Sequence, residues 1–186
     1  MSEIVPPTDW LSQWYGALFR PRDTFTGALR IGPAAGAIAL VALIVALSTA
    51  RWGAGSLVGN FCVALFWLLG AWGVGSAAVY AAAGCFVDQT HRGMSAMMAA
   101  TGLAILPWGF VGPVGAIAPV APWLASIARV LIFLWWLLVL VSAVRGATGL
   151  TGGRSALAIA LAAVAFLILP LAILGMLAAT LAIAVA

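Results

Sequence analysis

Charge is scarce in this chain. Only 6% of its residues are Asp, Glu, Lys or Arg, against roughly a quarter in an ordinary soluble domain. Lysine is missing altogether, so every positive residue is an arginine. The acids are Glu3, Asp9, Asp23 and Asp88, and the one histidine is His91. A metal site needs three or four converging ligands, so none is expected from so thin a supply. No nucleophile has a base beside it, no carboxylates are paired at a plausible site, and no glycine loop is built to cradle phosphate. No catalytic residue, enzymatic activity or cofactor is therefore expected. The arginines are spread singly, with no basic run interleaved by aromatics, which excludes nucleic acid as a partner. The missing lysine is a codon signature of a GC-rich bacterial genome rather than a physical signal.

Cysteine is also sparse. Cys62 and Cys85 fall near opposite ends of one apolar run. Their separation is roughly 35 Å along a helix, and a disulfide needs Cα atoms within about 7 Å, so they do not pair within the chain. A continuous apolar core is lacking in the first 30 residues, which hold Pro6, Pro7, Asp9 and Arg20. No cleavable signal peptide is expected there.

What the chain has in abundance is apolar residues, 66% of the total. They fall into five long runs, at about 33–50, 57–83, 95–111, 123–144 and 155–178. Runs of this length with at most one charge belong in lipid. The expected fold is all-α: a polytopic membrane protein, with a five-helix transmembrane domain over 31–186 behind a cytoplasmic arm over 1–30. The last run, Leu157 to Ala186, has no charge and is interrupted by Pro170. A helix from Ser155 to the end would measure roughly 48 Å against a hydrocarbon core of about 30 Å, so Pro170 is expected to kink or divide it.

The arm contains an amphipathic stretch. Trp10, Leu11, Trp14, Leu18 and Phe19 recur at helical spacing on one face. Thr8 or Asp9 can cap the start and Pro21 ends it. Two tryptophans and a tyrosine suit the membrane interface, the alternative being a helix packed on the protein itself. Trp10, Trp14, Phe19, Trp52 and Trp123 are the expected membrane-interface residues. Further on, Gly32 and Gly36 form a small-xxx-small pair that permits close helix approach. Asn60 is the one strong hydrogen-bonding side chain near the start of the second run. Gly70, Gly73, Gly75 and Ala77 thin that run enough to receive a neighbour.

The arginines also give orientation. With the N-terminus inside, Arg20, Arg22, Arg30, Arg92, Arg145 and Arg154 share the cytoplasmic side, and Arg51 stands alone outside. That asymmetry obeys the positive-inside rule. The expected location is the bacterial inner membrane, N-terminus cytoplasmic and C-terminus external.

The element Phe19-Arg20-Pro21-Arg22-Asp23-Thr24-Phe25 before the first run matches a Pro-Arg-x-x-Phe pattern, carried by Pro21, Arg22 and Phe25. A polar loop ends in Gly93-Met94-Ser95 and leads to a run containing Leu106-Pro107. The fourth run, rich in Trp and Leu, closes on Ala143-Val144-Arg145, and the last carries Pro170. In these features the chain resembles the bacterial branch of the Yip family of small five-span membrane proteins. It lacks the acidic-aromatic Gly-Pro element of eukaryotic members. Arg92-Gly93-Met94-Ser95 stands where paired glycines often precede the serine. The resemblance therefore implies fold and topology, with a non-enzymatic scaffolding or membrane-organising role, and not the GTPase-binding role of eukaryotic members.

Three further places could carry chemistry. Arg129 lies inside the fourth run, where an arginine at the bilayer centre costs at least about 2.5 kcal/mol. It is a candidate intramembrane polar site or, by snorkelling past Trp123, a lipid-phosphate contact. Asp88, His91 and Arg92 are candidate contacts of the second polar loop, whose plainer reading is a solvated turn with Arg92 setting topology. Trp135-Trp136 could stack on a pigment or quinone, but filling a helix interface or facing lipid is the favoured reading. The expected partners are the lipid bilayer and other membrane subunits, or a second copy, met through Gly/Ala faces. An accessory subunit of a larger respiratory, photosynthetic or secretory complex is the alternative to a scaffold. A small transporter or channel ranks third, because no repeat and no intramembrane acid are present.

Overall fold

In a computed structural model of the chain, residues 10–26, 31–50, 56–86, 93–165 and 168 are described. All regular structure among them is helical. We number the helices α1 (Trp10–Phe19), α2 (Pro21–Thr26), α3 (Ile31–Ala50), α4 (Leu57–Gly84), α5 (Gly93–Leu103), α6 (Val111–Ile117), α7 (Pro122–Thr148) and α8 (Gly152–Ala165). A 3-10 turn, Leu106–Phe110, joins α5 to α6. Four segments are long and apolar enough to cross a membrane: Ile31–Ser48, Leu57–Gly84, Gly93–Ile117 and Pro122–Thr148. The remainder of the expected fifth run, past α8 and including Pro170, lies outside the described residues apart from Ile168.

Proline fixes most of the boundaries. Pro33 sits in the first turn of α3, where its missing N–H has no intrahelical acceptor to lose. That lets α3 begin at Ile31, slightly ahead of the expected run. The third segment is not one helix. α5 stops at Leu103, four residues before Pro107, whose ring would clash with the Leu103 carbonyl. The chain tightens into the 3-10 turn and resumes as α6, so the third segment extends past the expected end at 111. Pro122 then occupies the first turn of α7. At the far end, α7 runs past Arg145 to Thr148 and is stopped by Gly149, which is left-handed at φ 75° and donates its N–H to the Arg145 carbonyl at 2.8 Å. Only a glycine takes that conformation cheaply. The stretch between the expected fourth and fifth runs, 145–154, is therefore non-helical only at residues 149–151.

The packing runs opposite to that of a water-soluble bundle. α3 packs on α4 and α5, and α7 packs on α5 and α2. The buried seam of α3 is Ala34, Ala37, Ile38, Val41 and Ala42, while Leu40, Leu43 and Leu47 point outward. On α7, Ala125, Val139, Ala143 and Ala147 are buried, and Ile127, Leu131, Leu134 and Leu138 are exposed. Larger side chains such as Ile132, Leu140 and Val144 are buried too, but the alanines in each seam allow backbones to approach closely where lipid gives no hydrophobic drive to associate.

Polar contacts and close packing meet at the junction of α4 and α5. Ser76 and Thr101 share a hydrogen bond of 2.7 Å between α4 and α5, and the Trp72 indole donates to the Met98 carbonyl at 2.9 Å. Beside them, a Cβ added to Gly102 would stand 2.7 Å from the Ala34 Cβ and 3.0 Å from the Trp72 indole nitrogen. Close packing should outweigh the hydroxyl pair here. Thr101→Val is expected to cost about 0.6 kcal/mol, the usual worth of such a bond in a membrane bundle. Gly102→Val is expected to cost about 1–3 kcal/mol through overpacking. Unfolding in detergent reads both; the reverse ranking would contradict this account of the junction.

Candidate functional site

The residues most able to recognise a ligand gather where the arm meets the end of α7. Pro21 ends α1 after Arg20 and starts α2, so the two short helices fold against each other. Gly16 makes the tight approach possible, because a Cβ there would run into the Thr24 side chain. The pair docks on the bundle at both ends. Trp10 covers Gly32 and Gly36, and the Trp14 indole donates to the Pro33 carbonyl at 2.8 Å. Farther along, the Trp135 indole donates to the Leu18 carbonyl at 3.2 Å. Phe25 is fully buried, and a Cβ at Gly146 would collide with the Phe25 backbone. Gly146 is thus the notch in α7 that admits α2.

Between α2 and the last turns of α7 lies an open pocket of about 500 Å³. Arg22, Asp23 and Thr26 line it from α2, with Ser142, Arg145 and Gly149 from α7 and its cap. The lining has two arginines and one aspartate, so it carries a net positive charge. The hydroxyl hydrogens are directed elsewhere: Ser142 donates to the Leu138 carbonyl at 2.9 Å and Thr26 to the Asp23 carbonyl at 2.8 Å. Toward the pocket these oxygens can act as acceptors.

No protein-family model, no curated protein and no solved structure matches this chain. The site is therefore read from its own geometry.

Of the expected site residues, Arg22 lines the pocket, Pro21 opens α2, Phe25 is the buried plug, and Pro107 is buried in the 3-10 turn. Trp10 is half exposed and Trp14 half buried, both packed on α3, while Phe19 and Trp123 are exposed. Arg129 is exposed on α7, about 24 Å along the helix from Arg145 by the usual rise. Trp52, Asp88, His91 and Arg92 lie outside the described residues. Among the described residues no group of His, Cys, Asp or Glu could hold a metal ion. The Trp135-Trp136 pair meets the protein's own rings: Trp135 contacts Phe19 and Phe110, and Trp136 contacts Trp108 and Phe133.

Sequence reasoning missed Ser142, Thr26 and Gly146, and took Arg145 as a topology marker alone. Pocket and notch share a cause, the fit of α2 onto α7, which two alanine substitutions test. Alanine in place of glycine favours a helix, yet Gly146→Ala is expected to lose about 1–3 kcal/mol by overpacking. Gly152→Ala, where a Cβ meets nothing within 4 Å, should be neutral or stabilising. Trypsin should also cut after Arg22 faster in Gly146→Ala. Equal stability and equal cleavage in the two variants would contradict the notch.

Proposed function

We propose that this chain is a non-enzymatic multi-span membrane protein of the bacterial Yip type, acting as a scaffold that organises the membrane around it. The observation that carries the reading is the fit of the Pro21–Phe25 element onto α7, with Phe25 buried at Gly146. It makes the family-like element a structural joint between arm and bundle rather than a loose tail. The four long apolar segments and their outward-facing large side chains support residence in a bilayer.

The finer reading has five spans, the fifth starting with α8. The arginine-rich end faces the cytoplasm and the C-terminus faces outward, in a bacterial inner membrane. α1 lies near the interface: Leu11, Tyr15 and Phe19 are exposed at helical spacing.

An accessory subunit of a larger membrane complex is the second reading, and one feature favours it. Among the described residues nothing lies within 4 Å of a Cβ at Gly70, Gly73 or Gly75 of α4, and Phe66 and Trp67 nearby are 74% and 70% exposed. Such a thinned, uncovered stretch suits an additional helix. Native purification in mild detergent separates the two readings. A scaffold is expected to migrate alone or as copies of itself, whereas fixed stoichiometry with other chains would favour the subunit. For topology, reporter tags at the two ends are expected in opposite compartments; tags in the same compartment would rule out five spans.

A further inference from the structure

We infer that the pocket between α2 and the end of α7 holds the headgroup of an anionic phospholipid: a phosphodiester on Arg22 and Arg145, with a hydroxylated group turned toward Asp23 and Ser142.

Depth comes first. α7 has 27 residues, which is about 40 Å of helix. A hydrocarbon core is about 30 Å thick, or about 40–45 Å with its headgroup layers. A helix of that length carries its end turns into the headgroup layer. Ser142, Arg145 and Gly149 belong to the last turns and the cap, so the pocket opens where phosphates lie. It is also on the arginine-rich side, with Arg20, Arg22 and Arg145.

Chemistry narrows the ligand. The two arginines come from helices about 120 positions apart in sequence, and each presents a planar fork of N–H donors suited to phosphate oxygens. A site for a bare phosphate would surround it with donors. This one adds acceptors instead: the Asp23 carboxylate, and the Ser142 oxygen whose hydrogen is committed to the Leu138 carbonyl. Acceptors beside a phosphate site call for a ligand that also carries donors, such as the hydroxyls of a glycerol headgroup. The net charge of the lining, two arginines against one aspartate, matches a singly negative diester better than a zwitterion. A choline headgroup offers no donor at all. The volume of about 500 Å³ falls within the ordinary range for a small-molecule site. Occupancy would fasten the arm to α7 from the membrane side, in addition to the plug at Phe25. It does not depend on whether the chain works alone or within a complex.

The test is native mass spectrometry of the full chain released in mild detergent, with equal amounts of phosphatidylglycerol, phosphatidylethanolamine and phosphatidylcholine added. Phosphatidylglycerol is expected to be retained preferentially. The double variant Arg22→Gln, Arg145→Gln should lower its retention about tenfold, and Arg22→Gln alone by an intermediate factor. Arg154→Gln removes the same single charge as Arg22→Gln, but outside the pocket, and should change little. Thermal melts of all four proteins check that they are folded. Equal retention of the three lipids, or equal loss in Arg154→Gln and the double variant, would overturn the proposal. So would displacement of the lipid by millimolar glycerol 3-phosphate, which would mark a soluble phosphate ester as the ligand.

Discussion

Hydrocarbon gives a helix no hydrogen-bonding partner and little reason to leave lipid for another helix. The form of this chain follows from how it meets both demands. Four hydroxyls are satisfied within their own turn: Ser48, Ser126, Ser142 and Thr148 each donate to the carbonyl four residues back. An indole N–H has no such local acceptor, so it reaches across. Trp14 ties α1 to α3, Trp72 ties α4 to α5, and Trp135 ties α7 to α1. Between these ties alanines and glycines alternate with larger buried side chains such as Ile38, Met97 and Leu103, and the small residues bring backbones close enough for dispersion to hold them.

The same logic explains why the arm belongs to the bundle. Two of the three indole ties involve α1, and α2 adds the Phe25 plug at Gly146. Aromatic rings extend the joint: Tyr15 lies against Phe19, Phe19 against Trp135, and Trp135 against Phe110. Proline is what brings those partners together. Pro21 folds the arm back on itself, and Pro107 breaks the third segment so that Phe110 turns toward α7. The arginine pocket is a consequence of this joint, since Arg22 reaches Arg145 only because α2 is seated in α7.

Much of the architecture was legible in composition alone. The four apolar segments lie close to the expected runs, because the length of an uncharged apolar stretch is a coarse signal that survives small boundary shifts. Contacts between distant positions were not legible. Gly32 and Gly36 read correctly as a place of close approach, yet what fills it is the indoles of Trp10 and Trp14 rather than another span. Gly70, Gly73 and Gly75 read as a packing surface, but nothing in the described chain comes within 4 Å of a Cβ there. Arg22 and Phe25 drew attention through a short pattern. Ser142 and Gly146 had no pattern to announce them, since their role arises only from the angle at which α2 meets α7. Gly149 carried a signal, a glycine after an arginine in the last turn, that fixes where α7 ends.

The central claim is that the arm is packed into the bundle by its tryptophans, and a double-mutant cycle at Trp10 and Gly36 tests it most directly. A Cβ at Gly36 would stand 2.8 Å from the Trp10 ring. Gly36→Leu should therefore destabilise the protein clearly in thermal melts, and much less when Trp10→Ala has already cleared the space. Contacting residues typically show a coupling of about 0.5–3 kcal/mol. Additive effects, or a harmless Gly36→Leu in the unmodified chain, would mean that the arm lies elsewhere and that the joint and its pocket do not exist.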